Sequence, residues 1–164
     1  MAKPFSYKSY LENDPVTKEM MEAVLKRWGH QIVPMDEELF KRGDVLSVDA
    51  DDEICFNEGE HRNAHWGYVK EHTRDDPSFE INVFARKDSL EPGYYFGFSP
   101  FYGEFYVFRT EVIMEHGGEP EEHFCTKDGV KGNDWVYRIH PKHAKWYHVT
   151  NHDDGRTTID EFTP

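Results

Sequence analysis

Asp44, Glu58 and Glu60 are the residues of this 164-residue chain whose types and spacing point to shared chemistry. They lie in the stretch KRGDVLSVDADDEICFNEGEH, from Lys41 to His61. Asp44 to Val48 alternates apolar and polar residues, Asp49 to Asp52 has turn chemistry, and Ile54 to Glu58 alternates again, which predicts a β-hairpin. With a side-chain period of two, Ile54, Phe56, Glu58 and Glu60 share one direction while Cys55, Asn57 and Gly59 share the other. In a regular hairpin Asp44 lies near the far end of the neighbouring strand, so three carboxylates converge at one end of a sheet. Like charges this close raise each other's pKa unless a cation neutralises them. Hard oxygen ligands of this kind suit Mg²⁺ or Mn²⁺. The plain alternative is an acidic hairpin on a solvated surface. If the three carboxylates form a site at the sheet end, removing one of them predicts a slightly more stable metal-free protein.

Gly43-Asp44, a short interval and then Glu58-Gly59-Glu60 resembles the motif of the PD-(D/E)xK nuclease-like superfamily. Glu60 stands where that family usually has Lys; a minority of its restriction endonucleases carry Glu-x-Glu. The resemblance covers roughly residues 14–108. It implies a restriction-endonuclease-like fold, a Mg²⁺ or Mn²⁺ cofactor held by Asp44 and Glu58, and DNA as substrate. Glu60, as the third catalytic residue, would ligate the cation or orient the attacking water. His61 and Arg62 directly follow Glu60 and are placed to supply the cationic group that the missing Lys would otherwise provide. Lys41 and Arg42, just before Asp44, suit phosphate contacts or simple charge balance.

The elements that must position these residues are legible in part. Residues 1–13 carry Phe5, Tyr7, Tyr10 and Leu11 among polar residues and read as a mobile arm. Asn13-Asp14-Pro15 has the chemistry of a helix start. Val16, Met20, Met21, Val24, Leu25 and Trp28 form an apolar stripe from there, closed by Gly29. His30 to Val33 is a short extended segment, and Asp36 is placed to cap a helical turn over residues 36–42. His61, His65 and His72 are spaced by four and seven residues, but Trp66-Gly67-Tyr68-Val69 favours a strand, on which such a pair chelates poorly. Phe79 to Arg86, Tyr94 to Phe98 and Glu104 to Phe108 read as three successive strands, and their many aromatic residues suit either a sheet core or a stacking platform for bases. Arg109 to His116 has the spacing of a short helix. Glu119 to Glu122 and Lys127 to Asp134 read as polar loops, Trp135 to Ile139 as a last strand, and Pro141 to Trp146 as an exposed turn or helix. Arg138, Lys142 and Lys145, with Trp146 and Tyr147 interleaved, make the one locally basic, aromatic stretch and a candidate nucleic-acid contact alongside Lys41, Arg42 and Arg62. The acidic tail 151–164 is expected to be mobile.

These elements predict one α+β domain over residues 1–164: an N-terminal helix packed on a mixed, mostly antiparallel sheet of five to seven strands, with a second short helix after Phe108. Aromatic residues make up 15% of the chain, enough large side chains to build a core from a 37% hydrophobic sequence. No apolar run approaches a membrane span, the first residues lack a signal-peptide core, and Cys55 and Cys125 form no disulfide framework, so a cytoplasmic protein without membrane contact is expected. No phosphate-cradling Gly loop or dinucleotide fingerprint is written here. The net charge of −13 runs against nucleic-acid binding unless the 19 Lys and Arg residues are concentrated on one face. Acid excess equally suits a solubility device. It also suits a catalytically inactive nuclease-like or DNA-mimicking protein, of phage or mobile-element type, that captures a protein partner. A metabolic or stress protein with an unrecognised site is the third reading.

Overall fold

A computed structural model describes residues 7–36, 43–62, 66–85, 90–127 and 130–164; the side chains of 7–14, 85, 123–127 and 130–134 lie outside the description. The expected helical turn over 36–42, with Lys41 and Arg42, falls almost wholly outside the described residues.

Helix α1 runs Tyr7–Arg27, so it begins seven residues before Asp14, and Pro15 lies inside it. Proline removes one bond of the helix ladder and crowds the carbonyl one turn back, a cost offset by the packing of the C-terminal half of the helix. Its end follows the expectation. Gly29 takes φ +87°, His30 N–H donates to Leu25 O and Gly29 N–H to Lys26 O, which is the paired bonding of a Schellman cap. Met21, Val24 and Leu25 are fully buried against Val45, Phe96, Phe98, Phe105 and Val107. Each such side chain contributes roughly 1.5–3 kcal/mol by leaving water.

That core lines one face of a seven-stranded sheet, ordered β1-β2-β3-β5-β6-β9-β10. Its strands are β1 (Gln31–Val33), β2 (Val45–Val48), β3 (Ile54–His61), β5 (Tyr94–Phe98), β6 (Glu104–Arg109), β9 (Lys145–Asn151) and β10 (Thr157–Phe162). Every pairing is antiparallel except β3 with β5, which are parallel. A parallel pair needs a crossover. Here the chain leaves β3, forms helix α2 (Trp66–Asp75) and strand β4 (Ile81–Ala85), and returns as β5. Strand β4 belongs to a second, three-stranded antiparallel sheet, β4-β8-β7, with β7 (Glu121–Lys127) and β8 (Val130–Ile139). Helix α3 (Thr110–His116) follows β6 as expected. A second core joins these elements to the other face of the large sheet: Trp66 and Val69 from α2, Ile81, Val83, Tyr137 and Ile139 from the small sheet, Ile113 from α3, and Tyr95, Tyr106, Phe108 and Trp146. Among the described residues no helix is long and apolar enough to cross a membrane.

Four expectations are corrected. Trp66 to Val69 is helical, because Trp66 and Val69, three residues apart, bury one side while Gly67 and Tyr68 face solvent. Most of the two polar stretches belongs to the β7–β8 hairpin, whose strands pair from Glu121↔Val136 to Lys127↔Val130, a pairing that the surrounding charges obscured in the sequence. Pro141–His143 is a 3-10 turn, but Trp146 is buried at 2% exposure and its indole N–H donates to Pro141 O, so this aromatic belongs to the core rather than to a surface. Residues 157–162 are not a frayed tail: β10 pairs along its length with β9.

Candidate functional site

The carboxylate motif sits where β2 begins beside β3. Asp44 N–H donates to Asn57 O at 2.8 Å, and Val45 is registered with the same Asn57, so two residues of one strand face one of the other. This is a bulge, and bulges re-aim side chains. The Asp44 carboxylate continues the ladder in place of backbone: Oδ2 accepts the Gly59 N–H at 3.1 Å, between Glu58 and Glu60. The regular hairpin expected from the sequence therefore gives way to a side-chain-to-backbone bond, yet it brings Asp44 to the Glu58-Gly59-Glu60 stretch all the same. Gly59 is required on the opposite face, where a Cβ would meet Met21 Sδ at 2.2 Å.

Asn57, fully buried, holds this end rigid. Its Nδ2 donates to Val45 O and Ser47 Oγ, both at 3.0 Å, and its Oδ1 accepts the Tyr94 N–H at 3.1 Å. Ser47 Oγ in turn meets His30 Nδ1 at 2.9 Å. Burial holds the His30 imidazole below its usual pKa, with Asp49 opposing, so the neutral ring is favoured.

Glu60 points into the second core rather than into open water. Its Oε2 accepts the Tyr95 hydroxyl at 2.5 Å and lies 3.3 Å from Arg62 Nη2, which also donates to Asn82 O at 2.8 Å. The Arg62 guanidinium stands 5.8 Å from the centre of the Tyr106 ring, and Tyr106 stacks on Trp66 at 5.6 Å and 6°. Burial works against the Arg62 charge, but Tyr106, Glu60 and Tyr95 outweigh it and hold the guanidinium more firmly protonated than usual. Burial, reinforced by Glu60, drives the Tyr95 phenol well above its ordinary pKa. Burial pushes Tyr106 up to about 12. Both phenols therefore stay protonated at neutral pH.

The arrangement can hold charge in two ways. Asp44 and Glu58 are carboxylates at the strand end, while Glu60 is committed to Tyr95 and Arg62. Among the described residues no group of three His, Cys, Asp or Glu stands in a metal-holding arrangement. Of the candidate nucleic-acid contacts, Lys41 and Arg42 lie outside the described residues. Arg62 belongs to the Glu60 cluster. Arg138, on β8, lies 3.3 Å from Glu121, and Lys142 and Lys145 are exposed on the 3-10 turn and the start of β9. His61 turns its Nε2 to Pro100 O at 2.9 Å and stacks on Tyr102, and His72 meets the Tyr68 carbonyl of its own helix at 2.9 Å. Sequence reasoning missed Tyr95, Tyr106, Trp66 and Asn82 as partners of the motif. Their strands or segments were in part legible, but the parallel β3–β5 register that sets Tyr95 level with Glu58 has no local signal.

Comparison with protein-family models, curated proteins and solved structures found no match.

Proposed function

We propose that the chain is a nuclease-like domain of restriction-endonuclease-like architecture that acts on DNA phosphodiesters with Mg²⁺ or Mn²⁺. The observation that carries this reading is the Asp44 carboxylate seated on the Gly59 N–H, between Glu58 and Glu60 along β3. The order of helix, antiparallel hairpin, crossover helix and parallel neighbouring strand supports it. Two carboxylates fit the cation, because Mg²⁺ keeps several waters and takes one or two carboxylates together with substrate phosphates. The cation would supply charge neutralisation at the phosphate and a more acidic water. Asp44 and Glu58 would bind it. Glu60, held by Tyr95, fixes Arg62 and so presents a permanent cation near the position where the related motif carries Lys. Cleavage of duplex DNA with Mn²⁺ tests this. Asp44→Ala and Glu58→Ala are each expected to lower the rate about 100-fold or more, the equivalent of several kcal/mol of lost charge stabilisation. Unchanged cleavage in both variants would place the chemistry elsewhere.

The engagement of Glu60 with Arg62, together with the charge of −13, favours a second reading: an inactive nuclease-like or DNA-mimicking domain that binds a protein. A gel shift of labelled duplex with Ca²⁺ at low salt separates the two. Salt-sensitive retardation supports the nuclease, and its absence supports the decoy.

A further inference from the structure

Helix α1 packs over β1, β2 and β3, and its Val24 and Leu25 join the core of β5 and β6, but the large sheet continues outward to β9 and β10. A helix narrower than the sheet it covers leaves a wedge along its flank. Here the wedge is an open cleft of about 700 Å³. Its helix wall is one stripe of α1, Met20, Ala23, Val24 and Arg27, at the spacing of neighbours on a helical face. Its sheet wall is the cross-strand pair Val149 and Ile159 with Asn151 and Thr157, the next pair on the same face of β9 and β10. The β5–β6 turn adds Phe101 and Tyr102, and the β9–β10 turn adds Gly155 and Arg156.

Two properties of this lining define what it receives. The first is an aliphatic interior: Val24 is fully buried, while Met20, Val149 and Ile159 are partly buried and packed on the core. Phe101, also in the lining, is 96% exposed, so its ring is placed to cover an apolar body lying in the cleft. The second property is charge. Among the described residues the lining holds two guanidiniums and no carboxylate, although the chain carries 32 Asp and Glu against 19 Lys and Arg. Arg27 Nη2 donates to Thr157 O, which ties α1 to β10 across the cleft, and Arg156 Nε donates to Asp154 within its own turn. Each guanidinium has further N–H donors, set in a fork that matches a carboxylate. Asp154 offsets the charge of Arg156, so Arg27 is the stronger partner for an anion.

We propose that this cleft binds a water-borne organic carboxylate with an aliphatic body, of the class of medium-chain fatty acids, its chain between Met20, Val24, Val149 and Ile159 and its carboxylate on Arg27. Small-molecule sites have this build, apolar walls with a few placed polar groups in a volume of roughly 300–1,000 Å³. The cleft lies on the α1 face of the sheet, whereas Glu60 meets Tyr95 in the opposite core, so the proposal does not rest on the nuclease-like reading.

Isothermal titration calorimetry of the full chain with decanoate, below its micelle concentration, and with decanol separates charge from apolar contact. A net charge of −13 repels an anion, so decanoate binding tighter than decanol has to come from a local cation. Decanoate is expected to bind about tenfold more tightly than decanol, the ratio that one charge-assisted hydrogen bond supplies. Arg27→Gln should erase that ratio and leave decanol binding as it was. Phe101→Ser, at a side chain too exposed to support the fold, should weaken both ligands several-fold with the melting temperature unchanged. Val149→Trp fills the cleft and should abolish both; where its melting temperature falls as well, Arg27→Gln and Phe101→Ser carry the test. Decanoate that does not bind, binds no tighter than decanol, or binds Arg27→Gln as well as the parent would overturn the proposal. So would a dimer in sedimentation that Phe101→Ser dissolves, with decanoate unbound, because the cleft would then receive a second copy of the chain. DNA cleavage, present or absent, bears on none of these results.

Discussion

Replacing Glu60 by Lys restores the commoner form of the motif on paper, but in the fold it sets an ammonium beside Arg62 and takes the acceptor from Tyr95. Breaking a buried or half-buried ion pair leaves one charge uncompensated, and a like charge adds repulsion. Glu60→Gln is expected to cost about 1–2 kcal/mol and Glu60→Lys about 2–4 kcal/mol in urea unfolding, with m unchanged. Equal stability of the two variants would show that Arg62 does not depend on Glu60. Asp44→Ala carries a sign that the crowding argument has wrong. The lost repulsion is small beside the lost acceptor for Gly59 N–H, so the metal-free variant should be about 1–2 kcal/mol less stable, not more. Asn57→Ala strands the Tyr94 N–H and takes a donor from Val45 O and Ser47 Oγ in a fully buried place, and should lower stability by about 2–4 kcal/mol in the same assay.

At the scale of elements, two glycines set how closely strands and helices approach. A Cβ on Gly93 would meet Phe56 O at 2.1 Å, and Gly93 also donates to Thr110 Oγ1 and accepts the Thr110 N–H, tying the start of β5 to β3 and to α3. Backbone cannot step aside as a side chain can. Gly93→Ala is therefore expected to cost about 2–3 kcal/mol or more. Gly59→Ala meets only the thioether of Met21 and a methyl of Thr17, so about 1–2 kcal/mol is expected, with most of it recovered when Met21 is shortened to Ala in the same chain. A double-mutant cycle of thermal unfolding measures that coupling, and additive losses would show that α1 does not rest on Gly59.

The whole molecule answers to pH through histidines held neutral. Burial lowers the pKa of His30 against the pull of Asp49. Burial, with His116, Lys142 and His140 adding positive charge, lowers that of His143 although Glu115 opposes. The His116 and His143 rings stack at 3.9 Å where α3 meets the 3-10 turn. A histidine whose folded pKa lies below its unfolded value takes up its proton more readily when unfolded, so unfolding is favoured as pH falls. The contribution is complete above the unfolded value of 6.5 and is lost as pH drops below it. Melting temperature should decline from pH 7 to 5, and His143→Gln should flatten that decline. A melting temperature independent of pH across this range would contradict the assignment.

From the sequence alone, the amphipathic half of α1, its cap at Gly29, the β2–β3 hairpin, strands β5 and β6 and the short α3 could be read, because each announces itself through local periodicity or turn chemistry within a few residues. The pairing of Asp44 with the Glu58-Gly59-Glu60 stretch was legible for the same reason: a hairpin connects neighbours along the chain. Helix α2 was not, since Trp66 and Val69 satisfy a strand propensity as well as a helical face, and only the core they meet decides between them. Nor was the commitment of Glu60. It depends on Tyr95, Asn82 and Tyr106, between 22 and 46 residues further along, which reach it through a parallel strand pairing and a second sheet. Charge type and spacing write a motif into sequence, but whether a carboxylate meets a cation, a guanidinium or water is decided by non-local contacts that leave no local periodicity behind.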